Sequence, residues 1–86
     1  MARVIGRGRE ALTSWVRKCL EAGGIPTFVV EYAGRPLPNN SVLVRCFGAG
    51  DKVRGGMISD IPTDLLEKIK SAKKDITTLA EELGVA

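Results

Sequence analysis

The chain predicts a single α+β domain: a small antiparallel sheet of two to three strands packed against an N-terminal and a C-terminal helix, in the order α-β-β-(β)-α. Three observations predict it. An apolar stripe at helical spacing fills residues 9–22 and stops at Gly23-Gly24. Two alternating segments rich in β-branched and aromatic residues follow, split by a turn-forming stretch. A second helical stripe then starts behind Pro62. At 86 residues there is room for one sheet layer and one helix layer. A domain of this size buries only about 60–65% of its unfolded surface, so its stability margin is thin.

In the first helix, Leu12, Trp15, Val16, Cys19 and Leu20 share one stripe, with Glu10, Ser14, Arg17, Lys18 and Glu21 opposite. Gly23 supplies a left-handed C-cap, and Pro26 prevents continuation. Residues 1–8, with glycines among the arginines, are expected as a flexible basic arm, leaving 9–86 as the folded domain. Residues 27–33 predict a strand with Phe28, Val30 and Tyr32 on one face and Val29, Glu31 and Ala33 on the other. Residues 34–40 are turn-formers that cannot sit inside a strand. Residues 41–47 return as a second strand, with Val42, Val44 and Cys46 opposite Leu43, Arg45 and Phe47, so the pair reads as an antiparallel hairpin with a long tip. Residues 52–59 are expected as a third strand, at an edge and weakened by a bulge at Gly55-Gly56. Asp60-Ile61-Pro62-Thr63-Asp64 opens the last helix, whose stripe is Leu65, Ile69, Ala72, Ile76, Leu79 and Leu83. Asp75 to Thr78 either interrupts that helix or is spanned by it before Gly84. The same stripe suits a two-stranded coiled coil, but covers under three heptads. Packing on the sheet is therefore expected, with a homodimer through the stripe as the rival.

Several chemistries are excluded at this stage. The chain has no histidine and no closely spaced cysteine pair, which removes the commonest general base and any ordinary zinc site. Its acids are scattered without a paired constellation, so no enzyme and no cofactor are expected. Cys19 and Cys46 fall on apolar faces and are expected as free, inert, buried thiols in a reducing cytoplasm. The Asn39-Asn40-Ser41 sequon would matter only in a secreted chain. No apolar run approaches the roughly 18 residues needed to cross a bilayer. The glycine-rich stretch 48–57 lacks the spacing of nucleotide-binding loops, and reads as a turn before a bulged strand rather than a phosphate cradle.

What remains is charge asymmetry. Residues 1–20 hold Arg3, Arg7, Arg9, Arg17 and Lys18 against Glu10 alone, while the rest of the chain is close to neutral. An anionic partner follows. The first expectation is DNA or RNA bound through phosphates, with Arg3, Arg7 and Arg9 as the arm, Arg17 and Lys18 extending it, and Lys52 with Arg54 as a basic loop. The alternative is a protein-interaction module, an adaptor, inhibitor or phage or mobile-element assembly subunit, that docks an acidic protein or homodimerises. The element order also resembles the double-stranded-RNA-binding domain, a three-stranded sheet between two helices. That family grips phosphates with a lysine cluster opening its last helix, where this chain has Pro62-Thr63-Asp64, and Lys73-Lys74 come later. The resemblance therefore extends to element order and not to groove-spanning recognition.

Overall fold

The chain opens on a strand rather than a helix. In the computed structural model, which describes residues 3–72 together with Glu81, Leu83 and Gly84, β1 (Val4–Arg7) leads directly into α1 (Gly8–Glu21). β2 (Ile25–Val29), the short β3 (Glu31–Tyr32) and β4 (Arg35–Pro36), and a 3-10 turn (Pro38–Asn40) follow. β5 (Val42–Phe47), β6 (Gly56–Ser59) and α2 (Thr63–Ala72) complete the order. The main sheet has four strands in the order β1-β6-β5-β2, and β3 and β4 form a separate two-stranded ribbon. β1 runs parallel to β6, whereas the β6–β5 and β5–β2 pairs are antiparallel. The predicted order α-β-β-(β)-α and its purely antiparallel sheet are thus corrected to a mixed sheet with a strand before the first helix. Residues 4–7 of the expected arm form that strand, and Gly8 begins α1. The likeness in order to the double-stranded-RNA-binding domain falls with the same finding.

The core lies between the sheet and its helices. Leu12, Trp15, Val16 and Cys19 are the buried stripe of α1. They meet Val42, Val44 and Ile58 from the inner face of the sheet, with Leu65, Leu66, Ile69 and Leu83 in the same cluster. Trp15 meets Phe28 edge-on, ring centroids 6.2 Å apart, an arrangement aromatic pairs favour. Burial of Leu65, Ile69 and Leu83 takes these positions of the C-terminal stripe into the chain's own core. Ile76, Leu79 and the interruption expected at Asp75 lie outside the described residues.

The hairpin of β2 and β5 has the register Ile25 to Phe47 through Val29 to Leu43. Its tip differs from expectation: the alternation ends at Val29, and β4 and the 3-10 turn occupy the stretch expected to be turn alone. Asn39 and Asn40 are left-handed, φ 57° and 50°, a conformation asparagine tolerates better than most residues. This presents their carbonyls to the amides of Asp60 and Ile61, at 2.9 and 3.0 Å, and clasps the entry to α2. β6 covers only residues 56–59 of the segment expected as a strand and sits inside the sheet, between β1 and β5.

Cys19 and Cys46 are joined as a disulfide, with Cα atoms 5.8 Å apart. The expectation of two free thiols is corrected: the stripe of α1 packs over β5 closely enough to bring both sulfurs together. Among the described residues no helix is long and apolar enough to cross a membrane.

Candidate anion site

The helix and the loop before β6 form a cleft of about 390 Å³. Ser14 and Lys18, one turn apart on α1, line one wall, and Lys52 and Arg54 line the other. Its apolar surface comes from Ile5, Ala11, Trp15, Val53 and Ile58, and no carboxylate contributes. Cations beside an apolar, poorly polarisable surface attract an incoming anion more strongly than the same charges in open water.

A long-range hydrogen bond helps hold the loop, and Val53 packs against the core. The Trp15 indole N–H donates to the Arg54 carbonyl at 3.0 Å, so the residue that fills the core beneath α1 also anchors the basic loop above it. At the start of the loop, the Lys52 amide donates to the Ala49 carbonyl at 3.2 Å. Gly56 has a backbone reason to be glycine. A Cβ there would stand 2.6 Å from the Ile5 side chain and 2.9 Å from the Arg3 carbonyl, so its smallness lets β1 lie against β6.

Of the cations named from sequence, Lys18, Lys52 and Arg54 are brought together. Arg17 is exposed beside Lys18 on α1. Arg9 is exposed in the first turn of that helix, remote in sequence from the loop. Arg7, at the end of β1, lies 3.7 Å from the Asp60 carboxylate, with both side chains more than half exposed. An exposed pair of this kind contributes little to stability. Arg3 is exposed at the head of β1 and lines a different depression, with Arg45, Tyr32 and Leu43. Among the described residues no group of three His, Cys, Asp or Glu side chains could hold a metal ion.

Sequence reasoning passed over that second region. Arg45 counts as one of many balanced charges in the middle of the chain, yet its guanidinium lies 5.5 Å from the centre of the Phe47 ring. Phe47 is 51% exposed and Tyr32 74%. The signal was present in the alternation of β5: Leu43, Arg45 and Phe47 share the face opposite the core, and two of them are large and apolar.

No protein-family model, curated protein or solved structure matches this chain.

Proposed function

We propose that the chain is a small, non-enzymatic binding protein that holds the phosphates of a nucleic acid in the cleft between α1 and the loop of residues 48–55. Lys18, Lys52 and Arg54 make the phosphate contacts, the Ser14 hydroxyl adds a donor, and Arg17 extends the basic surface. The observation that supports this reading is the gathering of three cations, from segments more than thirty residues apart, around a cleft lined by no carboxylate. Few bases would stack there, since Trp15 is buried, so binding is mostly through the backbone and weakly selective for sequence.

The disulfide bears on where such binding takes place. The expectation of a reducing cytoplasm depends on free thiols, which the disulfide removes. A Cys19–Cys46 bond instead favours a compartment, or a cell, in which disulfides persist.

Fluorescence anisotropy with a labelled duplex at several salt concentrations tests the reading. Three phosphate contacts give a slope of about −2.7 in log K against log salt, or roughly a 40-fold loss between 50 and 200 mM. Each of Lys18→Gln, Lys52→Gln and Arg54→Gln should reduce that slope by about one. A salt-independent affinity, or full binding by the triple variant, refutes it.

A further inference from the structure

The four strands of the main sheet contain no acidic residue, and their charged residues are Arg7 and Arg45. One face of this sheet carries the core. On the other, the register sets Val4, Met57, Leu43 and Val29 in a single row across all four strands. One step along, Arg45 stands opposite Thr27, and a further step sets Phe47 opposite Ile25. Val29, Val4, Phe47 and Ile25 are 40%, 45%, 51% and 62% exposed. A contiguous apolar patch of this kind marks an interaction surface more often than a face meeting only water.

We propose that this open face docks an amphipathic helix of another protein, with glutamates or aspartates flanking its apolar stripe. The dimensions fit. Four strands span about 14 Å, and residues two apart along a strand are about 7 Å apart. A helix is about 10 Å across and repeats its apolar side chains every 5–6 Å. Such a stripe covers the Leu43 and Val29 end and the Phe47 and Ile25 end together. Charge selects the occupant. Arg45, held over the Phe47 ring, sits in the middle row, and Arg3 borders the patch beside Tyr32. Both can reach carboxylates on the margin of the docked helix, and no acid on the sheet competes for them.

The other occupants fit less well. A second copy set on the same face would offer Arg45 and Arg3 no carboxylate from its own main sheet. Addition of a strand beside β2 meets Pro26, which has no N–H to donate. Single-stranded nucleic acid would find π faces at Phe47 and Tyr32 only, since the longest row is aliphatic.

The test is an amide chemical-shift titration of the full chain. The probe is a synthetic peptide of about five helical turns, with leucines on one stripe and glutamates on both flanks. The expected result is saturable shifts at residues 25–29 and 43–47. Arg45→Glu should weaken binding about tenfold, and a peptide with lysine for glutamate should bind Arg45→Glu better than it binds the wild type. Ile25→Asp should weaken binding comparably, and Ile25 is exposed enough for the fold to persist. The proposal is overturned by absent shifts on these strands, by equal affinity for the two peptides, by oligouridylate shifting the same amides more strongly, or by dimerisation through this face in sedimentation.

Discussion

Reducing the Cys19–Cys46 bond should remove a large share of the chain's stability. The two cysteines are 27 residues apart in sequence. Cross-linking a loop of that length lowers the entropy of the unfolded chain by an amount worth about 3.5 kcal/mol at 25 °C. A domain of this size is stable by about 4–13 kcal/mol in total. The melting temperature should therefore fall by roughly 14–28 °C, using the usual conversion for domains of 60–100 residues. The assay is a pair of thermal melts by far-UV circular dichroism, with and without a phosphine reductant, repeated on the Cys19→Ala, Cys46→Ala double variant. Because the effect acts through the unfolded state, the oxidised chain should also show a smaller urea m-value, since its unfolded form exposes less surface. Rapid labelling of native, unreduced protein by a thiol reagent would refute the argument. So would a melt that moves by less than about 5 °C on reduction, which would be at most about a third of the effect calculated for a 27-residue loop.

Two further substitutions probe the packing that positions the cleft. Gly24→Ala places a Cβ onto the Cys46 sulfur, 3.1 Å from the Phe47 carbonyl and 3.2 Å from Ala49 Cβ. Urea denaturation should register a loss of about 2–3 kcal/mol, and unchanged stability would mean that the turn between α1 and β2 lies further from β5 than described. Trp15→Phe keeps the ring against Phe28 but removes the donor to the Arg54 carbonyl. It should lower stability by about 1 kcal/mol and, by freeing the loop, weaken duplex binding several-fold in the anisotropy assay. Wild-type affinity in that variant would separate the placement of the loop from binding.

What could be read in the sequence depended on how local its cause was. The helix at Gly8–Glu21 announces itself through Leu12, Trp15, Val16 and Cys19, whose spacing is set within the helix. The β2–β5 hairpin is legible for a similar reason, because its alternation is local. β1 was hidden. It offers two apolar residues and a glycine, and it becomes a strand only by lying parallel to β6, a pairing of Val4 with Met57 that no local period records. Gly55-Gly56 did announce a backbone constraint, but not which neighbours impose it. Those are the Val44 carbonyl, the Ile5 side chain and the Arg3 carbonyl, all distant in sequence. The apolar periodicity places both cysteines on inward faces, while their bonding depends on the packing of α1 over β5. For the candidate site, charge alone names Lys18, Lys52 and Arg54. Their convergence rests on Trp15 reaching a carbonyl 39 residues away.

The two surfaces have a geometric relation that matters for any partner. At the start of the chain, Arg3 lines the depression of the open sheet face, while Ile5 lines the cation cleft. Along β5, Cys46 turns inward to the disulfide, and its neighbours Arg45 and Phe47 turn outward. On α1, Lys18 turns to the cleft, and the next residue, Cys19, holds the other end of the same bond. The disulfide thus joins the helix that carries the cleft to the strand that carries the open face. Along β5 successive side chains point to opposite faces, so a ligand on the open face leaves the cleft side uncovered. An acidic helix on the sheet and a phosphate chain in the cleft, two anions that would compete for a single basic patch, can then be held together by one small domain.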